Sequence, residues 1–152
     1  MSKNQLLQLF VRLGHKVFVV WWWLTRPTTR GVKIIVLKEN KVLLVRLSYG
    51  HQSWSFPGGG VRHNETTKDA AMREIAEETG ILIQTEDLKL VTQYDQQIEY
   101  KSDTVTCYLV RVETDDFKID NREVCEAGWF GVDELPSERT QNIDSILELI
   151  QV

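Results

Sequence analysis

The sequence contains little of what disulfide-bonded or zinc-binding proteins need. Only two of its 152 residues are cysteine, Cys107 and Cys125, and neither a CxxC pair nor a neighbouring histidine accompanies them. Two isolated cysteines do not make a disulfide framework or a zinc site, so we expect both thiols to be small, buried or half-buried side chains. Because nothing in this composition requires an oxidising compartment, the expected location is the cytoplasm.

The sequence also lacks a hydrophobic run long enough to span a membrane. Basic residues interrupt the apolar stretch near its start, and the longest clean run is VFVVWWWL, from Val17 to Leu24. A membrane-spanning helix needs about 20 apolar residues. The TRPTTR that follows has no small-residue cleavage pattern, so we expect no secretory signal.

An excess of positive charge is missing as well. The chain has 18 Lys and Arg against 22 Asp and Glu, which gives a net charge of −4. Non-specific binding of duplex nucleic acid depends on neutralising phosphates with Lys and Arg, so duplex nucleic acid is not an expected partner. No internal repeat or low-complexity tract is visible, and the length suits one soluble domain with its own core.

Residues 1–28 are predicted to form an amphipathic helix that stands apart from the main domain, residues 29–152. Apolar residues recur every three or four positions in this segment, and Pro27 ends the pattern. The helix could pack on its own domain or on a second copy of the chain in a homodimer. Its basic residues and three consecutive tryptophans also suit peripheral contact with a membrane. Either contact would use residues 3–24.

The apolar patterns in the rest of the chain predict both strands and helices. Two apolar, β-branched runs joined by Glu39-Asn40-Lys41 predict a β-hairpin. The pattern is helical from Thr66 to Thr79, with Thr66 as a capping residue and Gly80 as the stop signal. These elements predict an α/β or α+β fold with helices on the faces of a mixed sheet. The remaining predicted strands are Leu88 to Tyr94, Thr104 to Val112 and Trp129 to Val132, and the last helical stripe runs from Ile143 to Ile150.

The predicted helix carries an unusual acidic cluster. Glu74, Glu77 and Glu78 lie at positions i, i+3 and i+4, so their side chains share one helical face. Such a cluster is more often an ordinary solvated surface, but crowded carboxylates also bind Mg²⁺, which prefers oxygen ligands. Arg73 could neutralise part of the cluster and orient one carboxylate. The glycines at 58–60 allow a tight loop whose backbone can approach a metal or a phosphate.

The segment around this cluster resembles the signature of the Nudix hydrolase family at every defined position. It fixes nine positions across 23 residues, so a chance match is negligible. It reads Gly59, five residues, Glu65, seven residues, and then Arg73-Glu74-Ile75-Ala76-Glu77-Glu78-Thr79-Gly80-Ile81. The flanking residues Phe56-Pro57-Gly58-Gly59, Trp129 and Asp133-Glu134-Leu135-Pro136 also look like the family's.

The resemblance implies a Nudix-type α/β/α sandwich and an enzyme that depends on Mg²⁺ or Mn²⁺. The reaction would be hydrolysis of a diphosphate linkage in a nucleoside diphosphate joined to another group. By position, the family's metal ligands fall on Glu74, Glu77, Glu78 and the Gly59 carbonyl.

Further roles follow from the same resemblance. Arg73 would orient the carboxylates, Glu65 would reinforce the loop by pairing with Arg73, and Gly80 completes the motif. Glu74 is the first candidate for the base that takes a proton from water. Some family members use a glutamate on a later loop instead, and Glu123 or Glu126 could serve here.

The substrate is not specified by the motif. We expect a small nucleotide, such as a nucleoside triphosphate or a nucleotide sugar, with Arg46, Trp54 and Tyr94 as candidate contacts and Tyr49 and Tyr100 as further aromatics that could stack on a base. The segment GHQSWSFP before the motif resembles bacterial RNA 5′-pyrophosphohydrolases, which makes the RNA 5′ end a second candidate substrate. Two further functions fit the sequence, a membrane-associated diphosphatase and a non-catalytic, nucleotide-sensing Nudix domain, although the intact motif argues against the sensing domain.

Overall fold

The computed structural model describes residues 28–48, 52–98, 101–119 and 123–151. The predicted N-terminal helix, with its homodimer or membrane contact through residues 3–24, lies outside them, as do Tyr49 and Tyr100. Within these ranges, no helix is long and apolar enough to cross a membrane.

A mixed sheet forms the centre of the domain, as predicted. Five strands follow the order β3-β2-β1-β5-β4, and β6 pairs with β2. β1 and β5 run parallel along their length, whereas the other paired strands are antiparallel. The strands are β1 (Thr28–Lys38), β2 (Lys41–Leu47), β3 (Trp54–Ser55), β4 (Lys89–Ile98), β5 (Lys101–Arg111) and β6 (Val124–Gly131).

The predicted hairpin forms, but its two strands stay together only near the turn. Leu37 pairs with Val42, and Lys38 pairs with Lys41. Further from the turn, the glycine-containing loop takes the place of β2 beside β1. The carbonyls of Pro57 and Gly59 each accept a 2.9 Å hydrogen bond from a β1 amide. The divergence of β1 and β2 therefore places the loop beside β1, within the sheet.

In the described part of the chain, two α-helices cover the sheet, α1 (Thr67–Thr79) on one face and α2 (Asn142–Leu149) on the other. Alternate residues of β1 point to the two cores, as the period of two in a strand requires. The core under α1 contains Val32, Ile34, Val36, Ala71, Ile75, Tyr108 and Val110. The core under α2 contains Ile35, Leu37, Val105, Cys107, Ile143, Ile146 and Leu147.

Local chemistry fixes both ends of α1 where the sequence predicts them. The Thr66 hydroxyl accepts a hydrogen bond from the Asp69 amide and donates one to the Asp69 carboxylate. At the other end, Gly80 adopts a left-handed conformation with φ of 69°, and its amide donates to the Ala76 carbonyl. The register of α1 against the sheet is set by these caps and by the buried Ala70, Ala71 and Ile75.

β4, β5 and β6 extend beyond their predicted limits. β4 continues to Ile98 and β5 begins at Lys101, although both segments are polar, because they pair with each other residue by residue. β6 begins at Val124 instead of Trp129, since its first half pairs with β2. Of the two cysteines, Cys107 is buried and Cys125 is half-buried, as expected.

Candidate active site

Arg73 holds the acidic face of α1 and the preceding loop together. Its guanidinium makes a bidentate ion pair with Glu65, with N–O distances of 2.8 and 2.9 Å. The same group donates to Glu74 at 2.6 Å, to Glu77 at 3.2 Å and to the Gly60 carbonyl at 2.9 Å. Glu65 also accepts a hydrogen bond from the Arg62 amide, and these contacts lower the pKa of Glu65 to about 2.

Two of the three clustered glutamates are buried. Glu74 is 8% exposed and Glu78 is 4% exposed. Glu78 accepts a 2.8 Å hydrogen bond from the Gly58 amide, and Lys33 further offsets its charge. Burial nevertheless outweighs these contacts and raises the pKa of Glu78 to about 8. Burial also raises the pKa of Glu74, against the opposing effect of Arg73. The positive charge and hydrogen bonds near the two buried carboxylates are therefore too weak to offset the cost of burying their ionised forms.

The glycine loop presses against these carboxylates at close range. Gly58 has φ of 142°, and a Cβ on it would lie 2.1 Å from the Val32 carbonyl oxygen. A Cβ on Gly59 would lie 2.6–2.8 Å from the Glu74 carboxylate, whereas one on Gly60 would meet nothing within 4 Å. Gly58 and Gly59 are therefore required for the close approach of loop and helix, and Gly60 is not.

We expect Gly58→Ala to lower the free energy of unfolding by about 1–3 kcal/mol, because it combines a strained φ with a steric clash against backbone. Gly60→Ala is the matched control and should change it by less than about 0.5 kcal/mol. Urea unfolding of both variants measures the difference. Equal stabilities would show that the loop does not hold the packing described here.

The donor set of this cluster fits a hard divalent cation such as Mg²⁺ or Mn²⁺. All nearby donors are oxygens, namely the carboxylates of Glu74, Glu77 and Glu78 and the carbonyl of Gly59. A cation would supply the positive charge that the two buried carboxylates lack. The Gly59 carbonyl already accepts a hydrogen bond from the Val32 amide, and its second lone pair is the one that a metal would use.

The cluster is not assembled as a closed ligand set in this conformation. Within the ranges that the structure describes, no three His, Cys, Asp or Glu side chains converge closely enough to hold a metal ion. Glu77 is half-exposed and turned towards the guanidinium groups of Arg62, at 3.3 Å, and Arg73, at 3.2 Å. Metal binding would therefore require Glu77 to turn away from Arg62.

The later glutamates occupy different places. Glu123 immediately precedes β6, and its charge contributes to the raised pKa of both Glu74 and Glu78. Glu126 lies opposite Arg46 in the sheet and forms an ion pair with it at 3.4 Å. Of the two, Glu123 is thus the one beside the acidic cluster.

The three predicted substrate contacts lie on the α2 side of the sheet, and two of them contact each other. Trp54 is only 6% exposed, with the Arg46 guanidinium 4.9 Å from its ring centroid and the Phe130 ring edge-on against it. This packing leaves little of the Trp54 ring for a base to stack on. Tyr94 is half-buried, and its hydroxyl accepts a hydrogen bond from Asn142 at the start of α2.

Lys33 is a site residue that the sequence patterns do not indicate. It lies in the middle of β1 among apolar residues, and its ammonium group donates to the Phe56 carbonyl at 2.9 Å. Burial lowers the pKa of Lys33, while the negative charges of Glu78 and Glu74 act in the opposite direction. The available signal is its position, since a lysine interrupts an otherwise continuous apolar strand.

Comparison with known proteins agrees with this geometry. The profile of the NUDIX domain family matches residues 27–150. An RNA pyrophosphohydrolase of Histophilus somni is 30% identical over 116 residues, which cover 74% of this chain and 54% of that protein. An m7GpppN-mRNA hydrolase of Caenorhabditis elegans is 27% identical over 126 residues, which cover 79% of this chain and 15% of that protein. The chain thus spans about half of the first relative and a small part of the second.

A similar fold occurs among solved structures. A MutT NUDIX hydrolase from Burkholderia pseudomallei superposes with a TM-score of 0.73 at 23% identity, over 81% of this chain and 98% of that one. This likeness confirms the predicted fold: a mixed sheet with helices on its faces.

Proposed function

The chain belongs to the Nudix family, and we propose that it hydrolyses a diphosphate bond in a nucleoside oligophosphate with the help of Mg²⁺ or Mn²⁺. The observation that carries this proposal is the pair of buried carboxylates, Glu74 and Glu78, next to a loop whose close approach requires glycine. Carboxylates kept at this degree of burial are costly unless a cation binds them.

Each residue of the cluster has a distinct task in this proposal. Glu74, Glu77, Glu78 and the Gly59 carbonyl would hold the cation. When bound, the cation would offset negative charge on the phosphates and acidify a water molecule. Arg73 fixes the orientation of Glu74 through its 2.6 Å hydrogen bond, and Glu65 holds Arg73 in place through the bidentate ion pair.

We assign the proton acceptor to Glu123. Its carboxylate is exposed and makes no ion pair with any residue that the structure describes, so it is accessible to water beside the cluster. Glu126 forms an ion pair with Arg46, and Glu74 is buried and forms an ion pair with Arg73. General-base catalysis of this kind typically contributes about 10²–10⁴-fold to a rate.

The RNA 5′ end is a second candidate substrate. One observation favours it: the relatives include an RNA pyrophosphohydrolase and an mRNA cap hydrolase. The net charge of −4 argues against duplex binding, but it does not argue against binding of a single 5′ end at the acidic cluster.

A panel of substrates distinguishes these candidates. Nucleoside triphosphates, nucleotide sugars and a 5′-triphosphorylated oligoribonucleotide would be incubated with the protein and Mg²⁺, and the products would be identified by ³¹P NMR. We expect cleavage of a phosphoanhydride bond in at least one class. Preference for the oligoribonucleotide over the triphosphate of its first nucleoside would support the RNA candidate. No cleavage of any member would contradict the proposed function.

A further inference from the structure

We propose that Lys33 binds a phosphate group of the substrate and positions it beside the carboxylates of α1. This inference rests on the proposed function and names one of the side chains that would recognise the oligophosphate. It concerns a residue outside the 23-residue motif.

The ammonium group of Lys33 has donors to spare. It makes one hydrogen bond, to the Phe56 carbonyl, and forms no ion pair with any residue in the described ranges. An ammonium group has three N–H donors, so two of them are left for another acceptor. Because the side chain is half-buried, its position is defined by packing as well as by this hydrogen bond.

Lys33 lies directly behind the loop that faces the acidic helix. A Cβ on Gly58 would lie 3.0 Å from the Cα of Lys33, and the Gly58 amide is itself bound by Glu78. The charges of Glu78 and Glu74 both act on the Lys33 ammonium, and so does the carboxylate of Asp103 on β5. Three elements of the site therefore surround this lysine: the glycine loop, α1 and β5.

The separation between Lys33 and these carboxylates suits a bound anion. Glu74 and Glu78 act on Lys33 electrostatically but lie beyond the 4.0 Å of a direct ion pair. A direct pair would satisfy both charges and leave no place for a third group. A phosphate held against a cation on the carboxylates would find on its other side a partly desolvated ammonium group, which is a strong phosphate partner.

A purely structural role explains the lysine less well. Lys33 alternates along β1 with the buried Ile35 and Leu37, and an apolar side chain at this half-buried position would not lose hydration. Lys38, on the same strand, shows the usual arrangement of a lysine, because it pairs with Asp115 at 3.2 Å near the surface.

Lys33 should also affect the specificity of the site. Coulombic attraction to a single ammonium group grows with the negative charge of the ligand, so Lys33 should favour a diphosphate over a monophosphate. It would then contribute more to binding of the substrate than to binding of a nucleoside monophosphate product.

Phosphate binding by Lys33 is tested by calorimetric titration with adenosine 5′-(α,β-methylene)diphosphate, which resists hydrolysis, in the presence of Mg²⁺. We expect Lys33→Met to weaken binding by about tenfold to a hundredfold, the range for one charged hydrogen bond. Lys33→Arg should retain part of the affinity. Lys38→Met is the matched control on the same strand and should bind as the wild type does. AMP should lose less affinity than the diphosphate analogue in the Lys33 variant.

Two results would overturn the inference. The first is a Lys33→Met variant that binds the analogue as tightly as the wild type. The second is equal loss of affinity for Mg²⁺ alone and for the analogue, since Lys33 would then act only through the carboxylates. If Lys33→Met does not fold, as judged by its thermal melt, Lys33→Gln, whose amide can donate a hydrogen bond but carries no charge, takes its place. A wild type that cleaves no oligophosphate would instead contradict the proposed function itself.

Discussion

Replacing Glu78 with glutamine is expected to lower turnover by about 10²–10⁴-fold, while the metal-free protein becomes no less stable. The loss corresponds to a few kcal/mol of charge stabilisation that one metal ligand would help to supply. Glutamine has nearly the same shape as glutamate, and its carbonyl oxygen can still accept the hydrogen bond from the Gly58 amide. The substitution therefore removes charge without opening a cavity.

The contribution of the Glu78 carboxyl to the stability of the metal-free protein is expected to depend on pH. The pKa of Glu78 is about 8 in the folded protein, against 4.5 as its ordinary value. Between these values the folded state keeps a proton that the unfolded state has lost, so the contribution of Glu78 to stability declines as the pH rises. Glu78→Gln lacks this term, and its advantage in metal-free stability over the wild type should grow from pH 4.5 to 8.

Thermal melts in EDTA and initial rates with Mg²⁺ measure both effects on the same preparations. Glu148→Gln, on the exposed side of α2, is the matched control and should change neither quantity. A Glu78→Gln enzyme that retains near-normal turnover at limiting Mg²⁺ would show that Glu78 is not a ligand.

Arg73→Lys is expected to lower both stability and turnover, although it preserves the charge. Lysine cannot make the bidentate ion pair with Glu65 and at the same time contact Glu74 and Glu77. The side chains of Arg73 and Glu65 are mostly buried, so we expect the loss of one charged hydrogen bond to cost about 1.5–3 kcal/mol in the free energy of unfolding. Turnover should fall by about tenfold or more, because Glu74 loses the group that orients it.

Urea unfolding and steady-state kinetics of this variant provide the test, with Arg139→Lys as the control. Arg139 also makes a bidentate contact, with Asp144, but these side chains are more exposed than those of Arg73 and Glu65, at 28% and 48%. Such surface pairs contribute about 0–1 kcal/mol. If the two lysine variants lose similar stability, Arg73 is not the centre of the network described here.

The parts of the structure that the sequence predicts well are those determined by local chemistry. The caps at Thr66 and Gly80 and the spacing of the three glutamates depend on residues within a few positions of one another, and each is where the pattern places it. The Glu65–Arg73 pair spans only eight residues and is implied by the motif. The two apolar, β-branched runs joined by Glu39-Asn40-Lys41 likewise predict β1 and β2 as neighbouring strands.

Features that depend on distant partners are not predictable in this way. Polar residues such as Asp95 and Gln97 belong to β4 only because β5 pairs with them. Trp54 is a candidate for base stacking by its sequence, but its ring is buried by Phe130 and Arg46, which come from other strands.

The same limit applies to charged residues of the site. Glu123 and Glu126 look equivalent in the sequence, and only the register of β6 against β2 separates their surroundings. Lys33 gains its significance from Gly58 and Glu78, neither of which is close to it in the chain.

Hydrolysis is expected to require a divalent cation bound by the carboxylates on α1. The most direct test of this requirement is the rate of cleavage of the best substrate from the panel, measured across a series of free Mg²⁺ concentrations buffered with EDTA. We predict no cleavage in excess EDTA and a saturable return of activity as free Mg²⁺ rises, with saturation shifted to higher Mg²⁺ in Glu78→Gln. Full activity of the wild type in excess EDTA, with no effect of added Mg²⁺ or Mn²⁺, would contradict it.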